Sequence, residues 1–169
     1  IFVHNALVGL GVRRHIRVIS SGKITSGFGM VKRLAVGADL CNAARAMMMA
    51  VGCIQALKCN TNHCPVGVAT QDERLMQGLV VADKKQRVAN YHHATIESLS
   101  EMIGAMGISH PQRLRRWHIM RRISPIETKH YGEIFDYLTP GSLLKEPLPA
   151  SYERACRAAS AATFSHVGD

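Results

Sequence analysis

Residues 53–71 read CIQALKCNTNHCPVGVATQ, with Cys53, Cys59 and Cys64 spaced C-x5-C-x4-C and Pro65 directly after the third. These are three of the five cysteines in the chain. Such crowding constrains whatever fold surrounds it, because thiolates are the soft donors preferred by zinc, copper(I) and iron–sulfur clusters. The spacing is not the CxxC of a zinc finger, and free cysteine also serves as a small buried hydrophobe. On spacing alone, a metal or cluster site and a set of structural thiols both stand. A nucleophilic cysteine paired with His63 is not expected, since sequence neighbours rarely supply both members of such a pair.

The rest of the chain narrows the context. Its 169 residues suffice for one domain with a real core; it opens at Ile1 rather than methionine and reads as part of a longer polypeptide. No apolar run reaches the roughly 18 to 20 residues that cross a bilayer, and no signal-peptide pattern is visible. The formal net charge is +9, but the basic residues are scattered apart from the LRRWHIMRR run at 114–122. Aromatic residues make up only 5%, leaving little stacking surface for single-stranded nucleic acid, so nucleic acid is not an expected partner. An odd number of crowded cysteines is unlike a secreted disulfide framework and fits a reducing cytoplasm.

Taken in order, residues 16–51 alternate between strand and helix patterns, which places the chain in the α/β class. A short buried strand is expected at 16–19, followed by the small polar turn Ser20-Ser21-Gly22-Lys23 and an amphipathic helix at 26–36 ending at Gly37. A second strand at 38–40 leads through Cys41-Asn42-Ala43-Ala44-Arg45 into a helix at 46–51. Small residues at the carboxyl ends of two successive strands are the pattern of a phosphate grip formed after the last two strands of a (β/α)8 barrel. Two ordinary βα turns without a ligand fit the same pattern. Residues 72–78 read as a polar connection, 84–106 as a long surface helix stopped at Gly107, and 108–144 as short pieces broken by Pro111, Pro125 and Pro140. His92 and His93 read as solvated or capping residues rather than metal ligands, and Cys156 as an unliganded thiol. GxGxxG, Walker, HExxH and GxSxG motifs are all missing.

The run GCIQALKCNTNHCPVGVATQD at 52–72 closely resembles the cluster loop of the FMN-binding synthase domain of glutamate synthases. In that family three cysteines at this spacing hold a [3Fe–4S] cluster, which the resemblance carries onto Cys53, Cys59 and Cys64. Pro65, Val66, Gly67, Ala69, Thr70 and Gln71 complete the match. The resemblance extends back through both βα units and forward over residues 73–107. It implies the C-terminal portion of a (β/α)8 TIM barrel, comprising about the last two βα units. Residues 1–107 would form that part of the domain, 108–146 an extension of it, and 147–169 a peripheral tail. A whole barrel needs roughly 200 residues or more. The isolated chain is therefore expected to be inactive and to self-associate through uncovered apolar surface.

The resemblance also implies FMN, with its phosphate on the backbone N–H groups of Ser21, Gly22, Lys23, Ala44 and Arg45. Ser21 and Ala44 stand where the family commonly has glycine. Asn60, Thr61 and Asn62 are candidate hydrogen-bond donors to the cluster. The run RRWHIMRRISP at 115–125 and YGEIFDYLTPGSLL at 131–144 resemble the tail of stand-alone, single-domain members. The implied activity of the parent is reductive amination of 2-oxoglutarate with ammonia to L-glutamate. Electrons would come from ferredoxin or an NAD(P)H-dependent reductase subunit. The alternatives are a related subunit acting on another amine, such as an N-methylglutamate synthase, and a non-catalytic zinc-binding assembly module. No catalytic residue is assigned.

Overall fold

The computed structural model describes residues 1–163. It is mixed α/β, with the following elements in order: α1 (Phe2–Gly9), β1 (Ile19–Ser20), α2 (Gly27–Ala35), β2 (Leu40–Cys41), α3 (Ala44–Val51), α4 (Glu73–Met76), α5 (Val81–Ala105), β3 (Met120–Ser124), β4 (Glu127–His130), α6 (Tyr131–Ile134) and α7 (Ala150–Ala158). They divide into two compact units: Ile1–Val18 with Ala35–Leu40 and the chain from Arg115 onward, and Ile19–Leu34 with Cys41–Leu114.

The first unit gathers around α1. Asn5 is buried there at 1% exposure, and its side-chain amide donates to the Asp136 carbonyl at 2.8 Å, which meets its need for a partner away from water. Gly9 lies against Leu143, with no room for a Cβ, and its carbonyl accepts from the Leu143 N–H at 3.0 Å. Phe2 stacks on Tyr152 of α7, ring centroids 4.8 Å apart, and Tyr152 is buried. An ordered helix therefore occupies Ala150–Ala158, where no helical period is evident in the sequence; residues 164–169 of the expected tail lie outside the described residues.

β3 and β4 form an antiparallel hairpin with Met120 opposite His130 and a bulge between Arg122 and Ser124. Its proline reads as a chain breaker in the sequence. In the fold Pro125 lies in the turn between the strands, where a preset φ helps and no ladder N–H is needed.

The second unit is built on α5, a helix of 25 residues whose buried positions, Leu99 and Ile103, lie one turn apart. Gly27 at the start of α2 meets α5 so closely that a Cβ would stand 2.7 Å from the Leu99 backbone nitrogen. Tyr91 of α5 donates its hydroxyl to the Thr25 carbonyl at 2.8 Å, and α3 packs along α5 as well. Ser26 caps α2 by accepting from the Gly29 N–H at 3.2 Å, and Val31 and Ala35 form its buried stripe.

The expected first strand is displaced. β1 covers only Ile19–Ser20, and Ile16 and Ile19 are 43% and 54% exposed rather than buried. Among the described residues the sheet that holds β1 has two strands, and a two-stranded ribbon buries little by itself. The connection at 72–78 also contains a helical turn, α4, because Asp72 caps it by accepting from Arg74 N–H at 2.9 Å and Leu75 N–H at 3.2 Å.

Candidate cofactor and cluster site

Every residue singled out for a cofactor or metal falls in the second unit. The Ser20 carbonyl accepts from the Asn42 N–H at 2.9 Å, so the turns at Ser21 and Asn42 leave from neighbouring positions. Ser21, Gly22 and Lys23 are exposed, and the backbone is left-handed at Gly22 (φ +89°) and Lys23 (φ +54°). Nothing lies within 4 Å of where a Cβ on Gly22 would stand. Ala44 and Arg45, also exposed, open α3, whose first turn has neither a side-chain cap nor an acidic residue. Such a helix end presents backbone donors to an anion, and α2, capped by Ser26, does so less.

Arg33 is an addition that sequence reasoning missed. Its guanidinium donates to the Gly22 carbonyl at 3.3 Å. Burial pushes the Cys41 thiol up, and the Arg33 charge works against that shift. In sequence Arg33 is one more basic residue in the last turn of an amphipathic helix. Nothing in the spacing marks it.

The cysteine loop begins at the end of α3. Gly52 there is left-handed (φ +113°), and the N–H groups of Gly52 and Cys53 donate to the carbonyls of Met49 and Met48 at 2.9 and 3.0 Å. This is the Schellman arrangement, which needs glycine at the left-handed position. It delivers Cys53 directly off the helix end. Beyond it Gln55, Leu57 and Asn62 also take positive φ, between 56° and 62°, in a region that side-chain-bearing residues rarely occupy and that tends to cluster at ligand loops.

The run after the third cysteine clasps the loop shut. Asn62 accepts from the Gln71 N–H at 2.6 Å through its side chain and from the Thr70 hydroxyl through its backbone carbonyl. The Asp72 N–H donates to Thr70 Oγ1 at 3.1 Å. Gly67 (φ +74°) sits so close to α4 that a Cβ would collide with the Leu75 carbonyl. The Thr61 hydroxyl donates to the Lys58 carbonyl at 2.9 Å. The Thr61 hydroxyl and the two carbonyl oxygens of Asn62 are thus engaged inside the loop.

The three thiols differ in setting. Cys64 is buried, Cys59 is exposed and Cys53 lies between. The backbone N–H groups of Ala69 and Val66, then those of Val68 and Gly67, hold the Cys64 thiol below its ordinary range against the opposing effect of burial. Converging donors of this kind favour a thiolate. The Cys53 sulfur accepts from the Gln55 N–H at 3.4 Å. A polar cleft of about 400 Å³ opens beside Cys59, bounded by Asn60, Asn62, Ala69, Thr70 and Gln71.

The donor chemistry thus suits a thiolate-bound cluster, although the loop does not draw its sulfurs into one ligating group. Among the described residues no set of three His, Cys, Asp or Glu stands close enough to hold a metal ion. Cys41 and Cys156 are free thiols outside the loop, and His92 and His93 are exposed on α5. Among the described residues no helix is long and apolar enough to cross a membrane.

The sequence matches the profile described as "Conserved region in glutamate synthase" over residues 1–109. It is 41% identical over 120 residues to the glutamate synthase large subunit-like protein YerD of Bacillus subtilis, covering 71% of this chain and 23% of that protein. It is 36% identical over 105 residues to the archaeal glutamate synthase [NADPH] of Methanocaldococcus jannaschii, covering 62% of this chain and 21% of the relative. The glutamate synthase [NADH] of Saccharomyces cerevisiae aligns over 159 residues at 23% identity, 89% of this chain and 7% of the yeast protein. The chain thus spans less than a quarter of the length of each of these relatives. With more than half of its residues inside the matched region, the chain belongs to the glutamate synthase family.

Proposed function

We propose that this chain is the C-terminal part of a synthase domain from an iron–sulfur flavoprotein, one that forms L-glutamate by reductive amination of 2-oxoglutarate. In this reading β1–α2 and β2–α3 are the last two βα units of a TIM barrel. Residues 1–107 belong to the barrel domain, 108–146 extend it, and 147–169 are peripheral. The observation that carries the reading is the Cys64 loop: a buried thiol with backbone N–H groups aimed at it, inside a clasp built by the same residues that match the family.

Cys53, Cys59 and Cys64 would hold a [3Fe–4S] cluster. The exposed backbone of Ser21, Gly22 and Lys23, with the open first turn at Ala44 and Arg45, would hold the phosphate of FMN. Arg33 adds a cation beside the Gly22 turn. When bound, the two cofactors supply electron transfer and hydride delivery to the substrate imine. The protein's share is positional: the Schellman turn fixes Cys53, the N–H groups around Cys64 favour its thiolate form, and the clasp holds the two ends of the loop together. Ferredoxin or an NAD(P)H-dependent reductase subunit would donate the electrons, ammonia the nitrogen, and the cytoplasm would house the reaction.

The test is anaerobic purification of the full-length protein, followed by metal analysis, an absorption spectrum and assays with ammonia and methylamine. Iron, flavin bands and glutamate formation from ammonia are expected. Turnover with methylamine alone would move the protein to an N-methylglutamate-forming role. A colourless, zinc-loaded protein without flavin would overturn the oxidoreductase reading.

A further inference from the structure

The basic run at 115–122 leads into the β3–β4 hairpin, whose residues take no part in the cofactor site. Its base is fixed: Ile119, just before β3, is buried at 2% exposure, and its carbonyl accepts from the Tyr131 N–H at 3.0 Å. Beyond that base no residue of β3 is buried. Trp117, Met120 and Ile123 are 51%, 57% and 46% exposed, and Ile126, in the turn after Pro125, is 99% exposed. A two-stranded ribbon gains little stability by itself in water, and this one holds apolar side chains out to solvent along its length.

Its charge is largely of one sign. No Asp or Glu occurs between Glu101 and Glu127. Glu127 pairs with Lys129 at 2.8 Å, while Arg121 and Arg122, both exposed, have no ion pair among the described residues. In register Arg121 stands directly opposite Lys129, an arrangement that disfavours the ribbon until an anion lies alongside. A second copy of the chain is a poor occupant, because cations on a strand edge repel an identical strand. Nucleic acid would meet one indole and otherwise aliphatic side chains, which neither stack on bases nor read their edges. An acidic protein would need a pocket for the convex Ile126 tip; a fluid surface needs none. A bilayer with anionic headgroups satisfies both halves of the patch, with arginines at the phosphate level and the indole and aliphatic tips in the interface.

We propose that the β3–β4 hairpin, with Trp117 at its base, docks the protein on an anionic lipid bilayer. Arg121 and Arg122 engage the headgroups, and Ile126 enters the interface. The proposal is independent of the cluster and flavin reading.

The test is flotation of the full-length protein with phosphatidylcholine vesicles, with and without phosphatidylglycerol, at low and high salt. Association with the anionic vesicles is expected, weakening as salt shortens the screening length. The double variant Arg121→Gln, Arg122→Gln should weaken it about thirtyfold. Ile126→Ser should weaken it too while leaving the salt dependence in place. All three positions are exposed, so urea denaturation of the variants should match wild type; where the double variant unfolds, Ile126→Ser alone carries the test. Binding unchanged in the folded variants, or equal on neutral and anionic vesicles, overturns the proposal. Wild type that ignores anionic vesicles overturns it as well, and its retention on polyglutamate or duplex DNA through Arg121 and Arg122 would assign the hairpin to an acidic protein or to nucleic acid instead.

Discussion

Arg13 Nη2 lies 2.7 Å from Asp39 Oδ2, and the same carboxylate oxygen accepts from the Val18 N–H at 2.7 Å. Arg13 also donates to His4 Nδ1 and to the carbonyls of Ile16 and Gly37, at 2.8 to 3.0 Å. One guanidinium thus ties α1, the approach to β1 and the approach to β2 within the first unit.

That junction makes stability depend on pH. Burial works against the Asp39 charge, but the Val18 N–H and Arg13 outweigh it and hold the carboxyl below its usual range. A depressed carboxylate contributes stability above the unfolded value of about 3.9, and that contribution is lost as pH falls through the folded value. Asp39→Asn is expected to cost about 1–3 kcal/mol at neutral pH. The gap between variant and wild type should narrow in urea titrations below about pH 4.

Serine scanning of all five cysteines separates ligands from bystanders. Cys53→Ser, Cys59→Ser and Cys64→Ser should each lose most of the bound iron and visible absorption, because a hydroxyl is a poor soft donor. Cys41→Ser and Cys156→Ser, outside the loop, should retain both. Iron analysis of anaerobic protein checks this, and retention of iron by all three loop variants would rule out the assigned ligand set.

Gly67→Ala should destabilise the chain by about 2 kcal/mol or more, since it combines a positive φ with a clash against backbone that cannot swing away. Gly22→Ala at a similarly left-handed but open position is expected to cost less. Chemical denaturation of the two variants side by side measures the difference.

Arg33→Gln is expected to weaken FMN binding on the order of tenfold, roughly 1.4 kcal/mol, by removing the cation beside the Gly22 turn. Flavin fluorescence titration of the full-length protein reads this directly. Equal affinity in the variant would return Arg33 to a surface role.

Local signals in the chain were strong wherever the physics is local. Helical period and glycine stops located α2, α3 and α5, because each depends on neighbours three and four residues apart. The β3–β4 hairpin stayed hidden because Pro125 reads as a breaker until two strands flank it. α7 was hidden for a different reason: it has a single strongly buried anchor, Tyr152, and that anchor is explained only by Phe2 at the opposite end of the sequence.

The cysteine loop divides in the same way. The sequence by itself determined the spacing of the thiols, the family and the glycine at each end of the loop, since these follow from residue identity and chemistry alone. Tertiary structure decided that Asn62 closes the loop onto Gln71 and that backbone N–H groups converge on Cys64. It also decided that Arg33 reaches the Gly22 turn and that Lys84 and Arg87 stand beside Gly52. Those relationships join parts of the chain through folded geometry, and a long charged side chain carries no sequence mark of where its head will rest.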